Sequence, residues 1–453
     1  MILLHKMSKS PLDTLIGAID SGKNIFISGV GGTGKSYILK QLYAHYKNKR
    51  KCILTSTTGI SAYNIEGVTL HSFTKIILPS KLPEDMSKWT QILIRKISKN
   101  AFFHKQYKEM ELVFVDEVSM LGMNYLDVMN HVFSVVRGND KPFGGLQFVF
   151  GGDMLQLPPV KDDYPFLSES WEQLDLQYYC LQKAYRFESQ SWVDLLQRAR
   201  LGALTKSDIE ALNSRLLANM QQEDQPGQTF DEDEIEKVRP IFLSSKNAEV
   251  DNINGKLLGR IKSETVIFTA VDTMEKVSFL FKGTDKNKNT VVFSPDIESQ
   301  FIVDKSISLK VGAQVMLLAN LDVEGGLVNG SRGIVRDISF PSNIVVEFDN
   351  GKLQEIAPYE FKFEQDDIFY IRFALPLRLA WAVTIHKCQG LTLAQAEIDI
   401  GQSIFCKGQS YVALSRCKSL EGTFIKSFDP YKMKPDQKAL KFETAFLKHC
   451  IKL

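Results

Sequence analysis

Residues 29 to 36 have the types and spacing of a phosphate-binding loop, because they read Gly-Val-Gly-Gly-Thr-Gly-Lys-Ser. In such a loop the glycines let backbone N–H groups close around a triphosphate, the lysine reaches the β- and γ-phosphate oxygens, and the serine offers its hydroxyl to Mg²⁺. A short apolar strand is predicted before the loop and an amphipathic helix after it, which is the order that this site requires. We therefore predict that ATP is held by Gly29, Gly31, Gly32, Thr33, Gly34, Lys35 and Ser36.

Two acidic residues follow a second apolar run. Asp116 ends the run that begins at Leu112, and Glu117 comes next. Such a pair can cap a helix, but after a phosphate-loop unit it suits catalysis better. Asp116 is predicted, with Ser36, to hold Mg²⁺, and Glu117 is predicted to activate water. A third apolar run leads to Gln156, whose amide could sense a γ-phosphate or, alternatively, bond the local backbone of a turn.

A sheet must position these residues, because apolar strands alternate with helical patterns through the first part of the chain. This alternation is typical of α/β proteins in which helices cover a parallel sheet. With 453 residues the chain exceeds the size of a single core, so two or three domains are expected. We predict that the first domain covers residues 1–178.

A basic segment at about 75–110 lies inside this first domain. It contains eight Lys and Arg residues but three Asp and Glu residues, and aromatic residues are interleaved with them: Trp89, Phe102, Phe103 and Tyr107. Basic and aromatic side chains together suit contact with single-stranded nucleic acid. A solvated helical face above core aromatics is an equally good interpretation of this segment alone.

The second half of the chain changes pattern twice. Residues 179–308 begin as helices, and closely spaced strands with tight turns then predict a small, SH3-like β-barrel at 309–375. An α/β pattern returns at 376–453 and ends in an amphipathic helix over about 436–451. We therefore predict a second domain formed by 179–308 and 376–453, with the barrel inserted between its two parts.

Composition narrows the class of protein. The formal net charge of +2 neither demands nor excludes a nucleic-acid partner. The six cysteines lie far apart without metal-ligand spacing, so neither a disulfide framework nor a zinc site is predicted, and a reducing compartment fits best. The opening segment has too short an apolar run for a signal peptide, and no stretch reaches the length of a membrane span, so we expect a soluble intracellular protein without a membrane partner.

The motifs together resemble those of the PIF-type DNA helicases of superfamily I, the 5′-to-3′ subgroup with RecD-like relatives. In the first half, the matching segments beyond the phosphate loop are Thr55–Ala62, Thr69–Phe73, Val115–Met120, Pro142–Gly145 and Gly152–Val160. In the second half they are Gly312–Leu317, Leu327–Gly330, Leu379–Leu393 and Tyr411–Arg416. The resemblance implies two RecA-like parallel-sheet domains with ATP between them and a β-barrel inserted in the second.

The resemblance also implies roles for residues that the pattern alone leaves open. Arg186 and Arg416 match arginine fingers, whose guanidinium groups stabilise charge on the γ-phosphate; without the family, each would be read as a salt-bridge residue. The resemblance also places five residues at positions that face single-stranded DNA in the family: Thr58, His71, Phe73, His386 and Lys387. Phe73 could stack on bases, but a core position is equally consistent with its sequence.

Two positions depart from the family. Cys388 stands where the family often has serine. The glutamine that usually precedes the first strand by about a dozen residues is absent, and Leu12 or a neighbour takes its place. Since leucine cannot bond an adenine edge, weak selection among nucleotide bases is expected.

The function predicted from these motifs is that of an ATP-dependent DNA helicase, an ATP hydrolase that moves 5′ to 3′ on single-stranded DNA and unwinds duplexes in DNA replication, repair or recombination. ATP and Mg²⁺ are the expected cofactors, and single-stranded and forked DNA the expected partners of a monomer. The alternative is an ATP-gated single-stranded nucleic-acid clamp or remodeller without processive unwinding.

Overall fold

The structure is a computed structural model that describes residues 10–76, 78–79, 86–220, 238–276, 291–298, 300–322, 324–339, 343–365 and 368–453. The chain divides into two compact units. The first unit runs to Arg186 and also includes Pro435–Leu453, and the second unit is Phe187–Lys434.

The secondary-structure elements are numbered here in chain order. The helices are α1 (Pro11–Asp20), α2 (Lys35–Tyr46), α3 (Gly59–Asn64), α4 (Leu70–Thr74), α5 (Met86–Lys99), α6 (Ala101–Glu109), α7 (Met123–Arg137), α8 (Glu169–Gln173), α9 (Gln190–Leu201), α10 (Lys206–Asn213), α11 (Asn247–Arg260), α12 (Pro295–Glu298), α13 (Gln409–Leu414) and α14 (Gln437–His449). The strands are β1 (Ile25–Ser28), β2 (Cys52–Ser56), β3 (Val68–Thr69), β4 (Leu112–Asp116), β5 (Gln147–Gly151), β6 (Gln177–Cys180), β7 (Ile241–Ser244), β8 (Val266–Thr269), β9 (Val271–Lys276), β10 (Ser306–Leu309), β11 (Gln314–Leu317), β12 (Arg332–Ser339), β13 (Asn343–Phe348), β14 (Leu353–Ile356), β15 (Tyr359–Gln365), β16 (Ile368–Ala374), β17 (Leu377–Leu379), β18 (Ala382–Thr384), β19 (Ala396–Ile400), β20 (Thr423–Phe428) and β21 (Ile451–Lys452).

A parallel sheet with the strand order β21-β6-β1-β5-β4-β2-β3 forms the centre of the first unit. The residues of β1, β4 and β5 are buried throughout, because helices cover both faces of the sheet. Side chains of β1 alternate between the two faces: Ile25 and Ile27 pack in the core with α1 and α2, whereas Phe26 packs in the core with α7 and α14. The predicted α/β architecture is confirmed.

The end of the chain differs from the predicted domain assignment, which placed 376–453 in the second domain. Helix α14 and strand β21 belong to the first unit, where Ile451 pairs with Tyr179 of β6. Phe446 is 3% exposed, and its ring lies 5.6 Å from that of Phe26. Burial of such a ring contributes about 1.5–3 kcal/mol, and periodicity shows that α14 has an apolar face without showing which sheet receives it. The predicted boundary at 178 also falls inside β6, so the first unit extends further.

A second parallel sheet, with the order β18-β7-β19-β20, lies in the second unit. Antiparallel sheets with the orders β14-β13-β12-β11-β17 and β15-β16-β9 accompany it. Closely spaced strands are therefore present at 309–375 as predicted, although the two antiparallel sheets also include β9 and β17, which lie outside that range. The closed barrel stays a prediction. Among the described residues, no helix combines the length and apolarity needed to cross a bilayer.

Candidate active site

The phosphate-binding loop lies between β1 and α2, and its geometry requires glycine at positions 29 and 34. Gly34 caps α2 with φ +84°, a left-handed conformation that other L-residues rarely adopt. A Cβ on Gly29 would lie 2.8 Å from the Leu181 carbonyl oxygen and 2.8 Å from Thr33 Oγ1. The loop thus brings its backbone amides to the N-terminus of a helix, where the helix dipole favours an anion.

Lys35 and Thr33 bond to the loop itself. Lys35 Nζ donates to the carbonyl oxygens of Gly29, at 2.8 Å, and Val30, at 3.1 Å. Thr33 Oγ1 donates to the Val30 oxygen at 2.9 Å. The ammonium group is therefore held against the same loop whose amides suit a triphosphate.

Asp116 and Ser36 meet at the carboxyl edge of the first sheet. Asp116 ends β4, is 1% exposed, and accepts hydrogen bonds from the Ser36 hydroxyl and, at 3.3 Å, from Ser61 Oγ. Burial raises the pKa of the Asp116 carboxyl, while the bond from Ser36 and the nearby Lys35 charge oppose that rise. A carboxylate and a hydroxyl are hard oxygen donors of the kind that Mg²⁺ prefers, so this pair fits the predicted metal role.

Glu117 follows in a strained backbone conformation. Its φ of 53° and ψ of 41° are left-handed, which costs a non-glycine residue about 1–3 kcal/mol. Thr57 Oγ1 donates to the Glu117 carbonyl oxygen at 2.8 Å, and Val118 beside it is fully buried, so neighbouring packing maintains the turn. The turn leaves Glu117 half-buried next to the fully buried Asp116.

Gln156 lies beyond the carboxyl end of β5 and is 4% exposed. Its Nε2 donates to Asp153 Oδ2 at 3.3 Å, and Asp153 Oδ1 accepts from the Leu155 amide at 3.1 Å. The side chain therefore bonds a buried carboxylate instead of the turn backbone. Its γ-phosphate role stays a prediction.

The two predicted arginine fingers lie in different units. Arg186 ends the first unit, and the amide of Tyr185 beside it donates to the Gly32 carbonyl oxygen at 2.9 Å, which attaches this segment to the phosphate loop. Arg416 follows α13 in the second unit and is 2% exposed. Its guanidinium donates to the Val412 oxygen at 3.0 Å and to Ser415 Oγ at 2.7 Å.

The DNA-facing predictions in the first unit separate into two kinds. Thr58 follows β2 and caps α3, since its Oγ1 accepts from the Ser61 amide at 3.2 Å, and His71 is exposed on α4. Phe73 is 2% exposed and stacks at 6.3 Å on Tyr107 inside the core. The core interpretation of Phe73 is therefore the correct one, because its ring packs against Tyr107 of α6 and Phe133 of α7.

The basic segment shows the same separation. Phe103 and Tyr107 are buried, and Trp89 and Phe102 pack against the same core. The lysines of α5 and α6 are exposed, and Lys105 lies 3.8 Å from Glu109. Among the described residues of this segment, these four aromatic residues therefore pack on the core, whereas the lysines of α5 and α6 face outward.

The second unit brings His386 and Lys387 to the end of β18. His386 is half-buried, Lys387 is exposed, and the Lys387 amide donates to Thr384 Oγ1 at 3.4 Å. The Cys388 thiol is buried and donates to the Ile385 oxygen at 3.2 Å, so it fits a position where the family often has serine. The sequence analysis did not single out Phe405, which is 67% exposed with its ring stacked on that of His386. The available signal was an aromatic residue in a short segment bounded by Gly401 and Gly408.

Comparison with known proteins identifies the family. Residues 4–234, just over half of the chain, match the PIF1-like helicase model. The chain belongs to the PIF1-like helicase family. Residues 293–338 also match the 2B domain of the DNA helicase Pif1, in the region of the antiparallel sheets. The resemblance drawn from the motifs is therefore confirmed.

Individual relatives are similar in sequence or structure to most of this PIF1-like chain. The ATP-dependent DNA helicase PIF1 of Danio rerio is 33% identical over 447 residues, which cover 97% of this chain and 64% of that protein. The crystal structure of Bacteroides sp Pif1 in complex with ADP-AlF4 matches with a TM-score of 0.77 at 27% identity and covers 100% of both chains. That of Bacteroides Pif1 with ADP-AlF3 and ssDNA matches with a TM-score of 0.64 at 28% identity, covering 99% of this chain and 98% of that one. The chain spans about three fifths of the length of its curated vertebrate relatives.

Proposed function

We propose that this PIF1-like chain hydrolyses ATP to move 5′ to 3′ along single-stranded DNA and to separate forked duplexes, as DNA replication, repair or recombination requires. The observation that carries the proposal is the bond between Ser36 and Asp116 at a phosphate loop, with Glu117 next in the chain. The name of the Danio rerio relative and the nucleotide and ssDNA in the Bacteroides complexes support it. The direction of movement rests on the family resemblance.

In the proposed hydrolysis, the phosphate loop and the residues at the carboxyl edge of the first sheet each have a separate task. The amides of the glycine-rich loop hold phosphate oxygens, and Lys35 exchanges the Gly29 and Val30 oxygens for the β- and γ-phosphates. Ser36 and Asp116 would hold Mg²⁺, which supplies neutralising charge to the phosphates. Glu117 accepts the proton of the attacking water, and Gln156 senses the γ-phosphate.

Two arginines complete the proposed charge stabilisation. Charge spreads over the γ-phosphate oxygens during transfer, and the planar guanidinium groups of Arg186 and Arg416 match those oxygens. Since Arg416 belongs to the second unit, its use would link hydrolysis to movement of the DNA-facing residues of that unit. We propose Thr58, His71, His386 and Lys387 as DNA contacts. Phe73 is not included, because its side chain is buried in the core.

A strand-displacement assay tests the proposal. The protein with ATP and Mg²⁺ is given matched duplexes that carry a single-stranded tail at either the 5′ or the 3′ end. We expect displacement of the 5′-tailed duplex and little of the 3′-tailed one, and Lys35→Ala should abolish both because it removes the phosphate-binding cation. DNA-stimulated hydrolysis without displacement of either substrate would instead support the clamp or remodeller.

A further inference from the structure

The second parallel sheet ends in three loops at one edge. Strands β18, β7 and β19 are neighbours, so the residues after their carboxyl ends come together. Ser245 Oγ, after β7, donates to the Ser403 carbonyl oxygen, after β19, at 2.8 Å. We call this surface the basic aromatic edge and define it by Lys246, His386, Lys387, Phe405 and Lys407.

Phe405 is held out of the core by an anchored backbone. Ile404 before it is 3% exposed and its carbonyl accepts from Lys432 Nζ at 3.1 Å, while the Phe405 amide donates to Gln409 Oε1 at 3.4 Å. The Phe405 ring remains 67% exposed, although full burial of such a ring is worth about 1.5–3 kcal/mol. The ring planes of Phe405 and His386 lie 17° apart with centroids separated by 6.4 Å, so the exposed ring extends a stacked pair.

The surroundings of the ring are cationic. Lys246, Lys387 and Lys407 are exposed at this edge. Among the neighbouring acids, Glu249 accepts from the Ser244 hydroxyl and pairs with Lys426, and Asp429 accepts from Gln402. Asp251 and Asp304 lie close enough to Lys387 to oppose the fall in its pKa that burial causes, so they balance part of the charge of this one lysine. A single aromatic face among lysines suits a polyanion with accessible flat rings, which single-stranded DNA provides and duplex DNA hides.

We propose that Phe405 is a base-stacking residue for single-stranded DNA, and that Lys387 and Lys407 hold the flanking phosphates. This inference rests on the proposed function and adds to it the residue that contacts a base in the second unit. Stacking on an aromatic side chain does not depend on base identity, as a translocating enzyme requires.

Equilibrium binding to a dT oligonucleotide tests the assignment. Phe405→Ala should raise Kd by about tenfold without changing the slope of log affinity against log salt, because no phosphate contact is lost. Phe405→Tyr should bind like the parent protein. Lys407→Ala should reduce that slope by about 0.7. Tyr431→Ala is the matched control, since Tyr431 is 77% exposed in the same unit, and its Kd should not change.

An abasic oligonucleotide separates stacking from a structural effect. On this strand Phe405→Ala and the parent protein should bind equally, because the base face is missing from both complexes. Fluorescence of Phe405→Trp should be quenched by dT and not by the abasic strand. An unchanged Kd for Phe405→Ala on dT, or an equal loss on both strands, overturns the inference. If the parent protein displaces the 5′-tailed duplex but Phe405→Ala binds dT with the parental Kd, this inference alone fails. Absence of displacement by the parent protein refutes the proposed function.

Discussion

Each of the two parallel sheets has an edge at which the carboxyl ends of its strands converge, but one edge has a buried carboxylate and the other has exposed cations and an exposed aromatic ring. At the edge of β1, β4 and β5 in the first unit, Asp116 is 1% exposed and hydroxyl and backbone groups surround it. At the edge of β7, β18 and β19 in the second unit, lysines and Phe405 are exposed. Strand ends converge in both cases, but the Asp116 carboxylate at the first edge is excluded from water, which strengthens its electrostatic interactions, whereas the lysines at the second edge are exposed to solvent. We therefore expect substitutions at the first edge to change turnover and substitutions at the second to change DNA affinity.

Arg416 is the residue that could break this division, because it lies in the second unit and is proposed to serve hydrolysis. Arg416→Ala should reduce the DNA-stimulated rate of ATP hydrolysis by about 10³-fold, with less effect on nucleotide affinity, since the lost charge acts mainly in the transition state. Steady-state hydrolysis at saturating DNA and nucleotide-binding titrations measure the two effects.

Arg416→Lys is the matched control, and it should not restore the rate, because an ammonium lacks the planar fork of a guanidinium. Thermal unfolding of both variants reports the loss of the bonds to Val412 and Ser415. Normal DNA-stimulated turnover in a folded Arg416→Ala protein would leave this residue with a structural role in its own unit.

Glu117 tests the first edge by itself. Glu117→Gln keeps the shape of the side chain and leaves Asp116 in place, but it removes the proton acceptor, so ATP should bind normally while turnover falls at least about a hundredfold. DNA affinity should remain unchanged if the two edges divide the work. Single-turnover hydrolysis and dT binding check both statements, and a parental hydrolysis rate would refute the assignment of the base.

Nucleotide choice should show the smallest effect. Leu12, which takes the place of the glutamine together with its neighbours, lies on α1 and packs against the core of the first unit, and its side chain provides neither hydrogen bond of a glutamine. Because the loop contacts phosphates and ignores the base, kcat/KM with GTP or CTP and saturating single-stranded DNA should lie within about tenfold of the ATP value. Comparing the four nucleotides measures this ratio. A preference for ATP above about a hundredfold would mean that another group recognises adenine.

Local patterns were sufficient for the first edge. The phosphate loop is contiguous, and the positions with positive φ that it needs are occupied by glycines. Asp116 is the last residue of an apolar strand, and Glu117 comes directly after it. Such features depend on backbone conformation over a few residues, so sequence spacing predicts them. The motif order then indicated the family, which comparison with known proteins confirms.

Tertiary packing decided what spacing leaves open. An amphipathic pattern marks α14 as half-buried, but tertiary contacts such as that of Phe446 with Phe26 are needed to show that it covers the first sheet. In the same way, the residue type alone does not show whether a phenylalanine is buried: Phe73 lies in the core, and Phe405 is exposed beside His386. The sequence by itself determined the parallel-sheet architecture, the phosphate loop and its acids. The tertiary structure decided which unit receives α14 and β21 and which aromatic rings face solvent, because burial depends on residues that are distant in sequence.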